Sequence, residues 1–238
     1  MKLFCIPHAG ASSISYNGWR NHLNSNINFI PLELPGHMTR SNEKFCRNMD
    51  EVIQDLKRTF EKEVSNNEDY SIFGHSLGSV ILYYLYFDLI KSGFKPPKHL
   101  FFSSRWPPYH ENKKANYDLN DLEECKSKFI KMGGFKEEII KNKPLLDYYL
   151  DILVADYQII QSTPLEEPRM INTDMSILWS NKEIEIDDSD IYKWKLSAGS
   201  SISFNKVNGT HFYPTELPEK TVNIINKTLI KYEMDSLN

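Results

Sequence analysis

The stretch that decides the fold is residues 70–90, Tyr-Ser-Ile-Phe-Gly-His-Ser-Leu-Gly-Ser-Val-Ile-Leu-Tyr-Tyr-Leu-Tyr-Phe-Asp-Leu-Ile. Residues 70–73 are a short apolar run, which predicts a buried strand, and residues 77–90 are apolar almost all round, which predicts a buried helix. Between them, Gly74 and Gly78 flank Ser76 in a Gly-x-Ser-x-Gly pattern. In this context the pattern indicates a sharp strand-to-helix turn that exposes the serine hydroxyl.

The remainder of the chain alternates between strand-like and helix-like segments. Further strands are predicted at 2–6, 28–34, 100–103, 176–179 and 202–207, and further helices at 50–64 and 217–232. This alternation indicates βαβ units and therefore an α/β fold with a mainly parallel sheet. With 238 residues, we expect a single domain over 1–238.

The stretch from about 109 to 173 interrupts the alternation and is too long for a plain connection. It contains its own helical pattern, which is clearest from Pro144 onward. We expect a helical lid insertion over a pocket, because ligands bind at the carboxyl ends of strands in such sheets. The alternative is an insertion that packs passively on the sheet.

Composition excludes several classes of protein. The net charge of -4 argues against nucleic-acid binding, and the longest apolar run, residues 80–87, is too short to span a membrane. No secretory leader is recognisable at the start. The three cysteines, Cys5, Cys46 and Cys125, lack the spacing of a disulfide framework or zinc site, and no metal is expected. We therefore expect a cytoplasmic protein.

Ser76 is the candidate nucleophile, and a serine hydroxyl needs an adjacent base. His211 directly follows the 202–207 strand and is the candidate base. An oxyanion hole needs two N–H donors near the turn. The candidates are the backbone of Leu77 and that of Ala9, in the loop after the first strand.

The acid that should orient His211 is expected after the 176–179 strand, where several carboxylates occur. Glu183 is the first choice. Asp187, Asp188 and Glu185 are the alternatives. The remaining possibility is that no acid orients His211.

At this point the chain resembles the type II (external, editing) thioesterases of non-ribosomal peptide and polyketide synthesis, within the α/β-hydrolase superfamily. The motifs that support the resemblance span nearly the whole chain: residues 7–10 (Pro-His-Ala-Gly), 34–37 with Arg40, 74–78, Gly133-Gly134, Asp156-Tyr157, Trp194 and 209–212 (Gly-Thr-His-Phe). Three positions depart from the family pattern. Ala11 stands where glycine is usual, Thr210 replaces the second glycine before His211, and 180–183 (Ser-Asn-Lys-Glu) aligns Glu183 with the usual acid.

The resemblance implies an α/β-hydrolase fold and hydrolysis of acyl groups from the phosphopantetheine arm of carrier proteins. It implies acyl or peptidyl carrier domains as partners, a monomer, and no cofactor of its own, since phosphopantetheine belongs to the substrate. The alternatives are a carboxylesterase, a medium-chain fatty acyl thioesterase, and a non-catalytic carrier-binding module.

Charge is unevenly distributed along the chain. Residues 91–143 contain 12 Lys+Arg and 7 Asp+Glu, whereas the remainder contains 16 and 25. Carrier domains are generally acidic, so a basic lid half would steer their approach. Lys113, Lys114, Lys126 and Lys128 are the candidate docking residues; the alternative is an ordinary solvated surface.

Overall fold

A single parallel sheet organises the computed structural model, which describes residues 1–65, 68–110, 119, 121–131, 137–164, 166–184 and 186–235. The sheet order is β2-β1-β3-β4-β5-β6, and every neighbouring pair is parallel. The strands are β1 (Lys2–Ile6), β2 (Asn28–Pro31), β3 (Tyr70–His75), β4 (Leu100–Ser103), β5 (Met175–Ser180) and β6 (Ile202–Val207). The α/β-hydrolase prediction of a mainly parallel sheet flanked by helices is confirmed.

Helices cover both faces of this sheet. They are α1 (Met49–Glu63), α2 (Leu77–Lys91), α3 (Leu122–Lys131), α4 (Glu137–Lys141), α5 (Lys143–Gln161), α6 (Asp188–Tyr192), α7 (Tyr213–Glu216) and α8 (Pro218–Asp235). Short 3₁₀ segments occupy Ser13–Asn21, Met38–Arg40 and Lys193–Ser197. Within the described ranges, no helix is long and apolar enough to cross a membrane.

The side chains of β1 show how the core is divided. Leu3 packs in a cluster with Trp19 and α8, whereas Phe4 packs in a second cluster with α1 and α2. Successive strand residues point to opposite faces, so a strand covered on both sides is apolar at nearly every position. This explains the uninterrupted apolar runs in the sequence.

The predicted strand 28–34 is wrong at its C-terminal end, because β2 stops at Pro31. Proline has no N–H to donate, and β2 is the edge strand, where proline is tolerated. The Leu32 N–H still donates to the Cys5 carbonyl of β1 at 2.8 Å, and Glu33 accepts hydrogen bonds from the backbone and hydroxyl of Ser13.

The region between β4 and β5 contains α3, α4 and α5. Helix α5 begins after Asn142, whose side chain accepts a hydrogen bond from the Leu145 N–H, and Pro144 lies in its first turn. This helix packs against α1, α2, α3 and α4. Gly133, Gly134, Lys113 and Lys114 lie outside the described residues.

The turn between β3 and α2 is held by two close backbone approaches. A Cβ added to Gly78 would overlap the carbonyl oxygen of Ile6, and one added to Gly74 would overlap the carbonyl of Gly78. The two glycines therefore allow the end of β3, the start of α2 and the end of β1 to pack together.

This packing predicts that Gly78→Ala destabilises the protein by about 1–3 kcal/mol, the usual cost of forcing extra atoms into a packed core. Gly18→Ala is the matched control, since its new Cβ would meet Pro218 Cγ at an ordinary 3.6 Å. Urea denaturation of the two variants measures the difference. Equal stability of both would contradict the close-packed turn.

Candidate active site

Ser76 lies at the turn itself, in a backbone conformation that residues other than glycine rarely adopt. Its φ is 53° and its ψ is -111°. Such strain persists only where surrounding contacts hold it. Here the Ser76 N–H donates to the Ser103 carbonyl at 2.8 Å. The Ser79 hydroxyl lies 2.7 Å from the Gly74 carbonyl and accepts the Ser103 N–H at 2.9 Å.

Ser79 and Ser103, which lock this turn to β4, were not singled out from the sequence. The available signal was that each is a polar residue within or at the end of a segment predicted to be buried. Each is fully buried. Because a buried hydroxyl needs partners, both positions indicated a hydrogen-bonded role.

His211 and Glu183 meet at the same edge of the sheet. His211 follows β6 and Glu183 follows β5, and His211 Nδ1 lies 2.8 Å from Glu183 Oε2. The two loops are also joined directly, because the Ser180 hydroxyl donates to the Gly209 carbonyl. The first-choice acid is therefore in contact with the candidate base.

Burial and the contact with His211 have opposite effects on the pKa of the Glu183 carboxyl. The side chain is 4% exposed. Burial alone would raise the pKa of Glu183, but the charge and hydrogen bond of His211 outweigh it and hold that pKa below its usual value. Glu183 is therefore an anion at neutral pH, and the hydrogen bond leaves Nε2 of His211 as the nitrogen available for chemistry.

The alternative acids have other partners. Asp188 accepts hydrogen bonds from the Trp179 indole at 2.9 Å and from Lys206. Asp187 is exposed at the start of α6. Among the described contacts, neither carboxylate reaches His211. Glu185 lies outside the described residues.

Two further histidines lie against His211 and remain uncharged. The ring centroids of His8 and His211 both lie within about 5.3 Å of the His75 ring. Burial, helped by the nearby charge of His211, lowers the pKa of His8 to about 3 and that of His75 well below its usual value. Neither His8 nor His75 therefore carries a positive charge at neutral pH.

The candidate oxyanion donors come from adjacent segments. Leu77 begins α2, so its N–H is one of the first-turn groups without an intrahelical partner. Ala9 follows β1, whose end lies against the start of α2 through the close approach of Gly78 to Ile6. Among the described hydrogen bonds, none occupies the N–H of Ala9 or Leu77.

A cavity of about 330 Å³ lies beside the candidate catalytic residues. Ser76, His211, Glu183 and Ala9 all line it. The rest of its wall is largely apolar, and α3 and α5 form part of it. The apolar lining residues include Trp106, Ile130, Tyr157, Ile160, Ile184, Ile186 and Phe212. The arrangement can present an activated hydroxyl to an apolar substrate.

Ser76 and His211 share this cavity without a direct bond. Among the contacts of the described residues, none joins the Ser76 hydroxyl to the His211 ring. Such hydrogen bonds are often long in free enzymes and tighten when substrate binds. The geometry therefore brings the two groups together and leaves the final approach to the complex.

The Glu183–His211 pair predicts a pH-dependent stability. Because the folded-state pKa of Glu183 is lowered, its contribution is present above the unfolded value of about 4.3 and is lost as pH falls through the folded value. Glu183→Gln should cost about 1–3 kcal/mol near pH 6, and this deficit should shrink toward pH 3. Urea denaturation across pH measures it, with Asp187→Asn as the control. A deficit independent of pH would contradict the ion pair.

The chain is similar to known proteins in both sequence and structure. The thioesterase domain family model matches residues 1–229. In structure, ClbQ from the colibactin NRPS/PKS pathway superposes with a TM-score of 0.90 at 26% identity, covering 98% of each chain.

Two curated relatives also match along nearly their whole length. Linear gramicidin dehydrogenase LgrE from Brevibacillus parabrevis is 25% identical, covering 97% of this chain and 88% of that protein. The medium-chain S-acyl fatty acid synthase thioesterase of Rattus norvegicus is 26% identical, covering 89% and 81%. By its family match, its fold and these relatives, the chain belongs to the thioesterase family and is a hydrolase that acts on thioesters.

Proposed function

We propose that this protein is a type II thioesterase that removes acyl groups from the phosphopantetheine arms of carrier proteins through an acyl-Ser76 intermediate. The observation that carries the proposal is the cavity shared by the strained Ser76 and the His211–Glu183 pair. The similarity to ClbQ, a protein of the colibactin NRPS/PKS pathway, supports the class of substrate. The protein works as a cytoplasmic monomer without a cofactor of its own.

In the first half of the reaction, His211 Nε2 takes the proton of the Ser76 hydroxyl as the oxygen attacks the thioester carbonyl. The N–H groups of Ala9 and Leu77 stabilise the resulting oxyanion. When the tetrahedral intermediate collapses, the C–S bond breaks and the thiolate takes the proton from His211. The leaving thiol has a pKa near about 8.5, so it departs more easily than an alkoxide.

In the second half, water attacks the acyl-Ser76 ester and His211 accepts its proton. The ester bond then breaks, Ser76 regains the proton, and the free acid leaves. Glu183 stabilises the imidazolium in both halves, since its carboxylate lies against Nδ1.

Two exposed lysines at the mouth of the cavity support the proposal of a phosphorylated, acidic substrate. Lys131 at the end of α3 and Lys182 after β5 both line the cavity. Neither has an ion-pair partner among the described residues, whereas Lys126 and Lys128 pair with acids of their own helix. A phosphopantetheine arm enters with its phosphate behind the thioester, so unpaired cations at the mouth fit it.

The proposal predicts that an acetyl-loaded carrier protein loses its acetyl mass with wild type and not with Ser76→Ala, which should be slower by several orders of magnitude. Glu183→Gln should reduce the rate less than Ser76→Ala does, and Asp187→Asn should leave it unchanged. Intact-protein mass spectrometry of the carrier measures all four proteins. Normal deacetylation by Ser76→Ala would contradict the proposed nucleophile.

A medium-chain fatty acyl thioesterase is the second candidate, favoured by the 26% identity to the rat enzyme of that name. Both candidates would use the same catalytic groups and differ in the acyl chain. A panel of carrier-bound acyl groups from two to twelve carbons separates them. Preference for short or misloaded groups supports the editing enzyme, and preference for one medium length supports the alternative.

The two lysines at the cavity mouth predict that charge reversal slows turnover of a carrier protein but not of a small thioester. Lys131→Glu and Lys182→Glu should slow turnover of an acyl carrier protein at low ionic strength several-fold, because opposite potentials steer encounter. Both should leave hydrolysis of an acyl N-acetylcysteamine thioester near the wild-type rate. Lys227→Glu on the exposed side of α8 is the matched control. Equal losses on both substrates would rule out electrostatic recognition at the mouth.

A further inference from the structure

One buried carboxylate outside the catalytic groups joins three separate segments. Asp156, on α5, is fully buried, and its Oδ2 accepts the Gly10 N–H at 2.8 Å. The same oxygen lies 3.2 Å from Nε2 of His37. The loop after β1, the loop after β2 and the helix between β4 and β5 therefore meet at a single oxygen atom.

The contacts of His37 favour the charged form of its ring. Nδ1 lies 3.1 Å from the Pro35 carbonyl, which can only accept a hydrogen bond, and Nε2 faces the Asp156 carboxylate. Both nitrogens must therefore donate, as only the imidazolium does. Burial lowers the pKa of His37, but the charge and hydrogen bond of Asp156 outweigh it and raise the pKa overall. The charged form of His37 is therefore favoured where its ring faces Asp156.

The hydrogen bond from Gly10 acts on the loop that carries Ala9. The Gly10 N–H belongs to the peptide plane that joins Ala9 to Gly10, so an acceptor at this atom fixes that plane. The loop turns back at this point, since Gly10 has a φ of +77° and the Ala11 N–H donates to the His8 carbonyl at 3.1 Å. The orientation of Ala9 relative to the cavity therefore depends on the carboxylate.

Helix α5 supplies this carboxylate and part of the cavity wall together. Tyr157, the next residue, and Ile160, one turn later, both line the cavity that contains Ser76. Asp156 itself is not among the lining residues. A displacement of α5 would therefore change the acyl pocket and release the Gly10 N–H at once.

We propose that Asp156 is a positioning residue for the oxyanion hole, which holds the loop after β1 so that the Ala9 N–H faces the reacting carbonyl. It makes transition-state stabilisation depend on the position of the helix that also shapes the acyl pocket. This inference rests on the proposed function, in which Ala9 is an oxyanion donor.

The test compares Asp156→Leu, which has a similar shape but no acceptor for the Gly10 N–H, with Asp151→Leu at an exposed position on the same helix. On a small acyl thioester, Asp156→Leu should lower kcat roughly 10- to 100-fold, less than the loss of a whole oxyanion donor, and change KM by less than about twofold. Affinity for a matching trifluoromethyl ketone, which forms a tetrahedral adduct with Ser76, should fall by the same factor as kcat/KM. Affinity for the unreactive thioether analogue should not change.

Further variants separate positioning from stability. His37→Asn removes the imidazole but leaves the Gly10 hydrogen bond, so it should lower the melting temperature while lowering kcat less than Asp156→Leu does. The double variant His37→Asn/Asp156→Leu removes both the imidazole and the Gly10 acceptor, so it should show the full loss of kcat without an uncompensated buried charge.

Two results would overturn the inference. One is a folded Asp156→Leu or double variant with wild-type kcat/KM; the other is parallel loss of affinity for the ketone and the thioether. Wild type that hydrolyses the small thioester but not the carrier would instead contradict the proposed substrate and leave this test valid. Wild type inert toward every thioester would contradict the proposed function itself.

Discussion

The turn at Ser76 is the constraint on which the rest of the structure depends. A side chain at a φ of 53° is held by hydrogen bonds to β4 and by a helix that touches the end of β1 without an intervening Cβ. Because β1, β3 and β4 are adjacent and parallel, their carboxyl ends meet at one edge. The nucleophile, the loop of Ala9 and the start of α2 are therefore neighbours as a consequence of the fold.

Glu183 and His211 reach the same edge of the sheet because the strands that precede them are also parallel to β4. β5 and β6 pair in parallel beyond β4, so the loops that follow them open at the same edge. Glu183 and His211 are 28 positions apart in the chain and yet lie within hydrogen-bond distance. The neutral His8 lines the same cavity, and Tyr157 and Ile160 of α5 form part of its wall.

Most of this framework could be predicted from the sequence because it rests on local patterns. β1, β4 and β6 have the predicted bounds, and the strand–turn–helix at Ser76 was readable from two glycines and the apolar runs beside them. The end of β2 was misplaced because continued apolar character after Pro31 belongs to a loop packed on the core rather than to a strand.

What the sequence could not decide depended on three-dimensional contact. Four carboxylates within six residues could each orient a histidine, with Glu183 the first choice, and the path of the loop after β5 is what brings Glu183 to His211. Asp156 was visible only as part of a family motif, because its partners Gly10 and His37 lie more than 100 residues away. Long-range hydrogen bonds of this kind have no periodic signature.

The most direct test of the account is to quench wild-type enzyme with acid during turnover of a thiophenyl ester and to measure its intact mass. The aryl thiol leaves quickly, so deacylation limits the rate and the intermediate accumulates. The account predicts a mass increase equal to the acyl group, located by peptide mapping at Ser76. Turnover without any adduct, or an adduct on another residue such as Cys46, would contradict it.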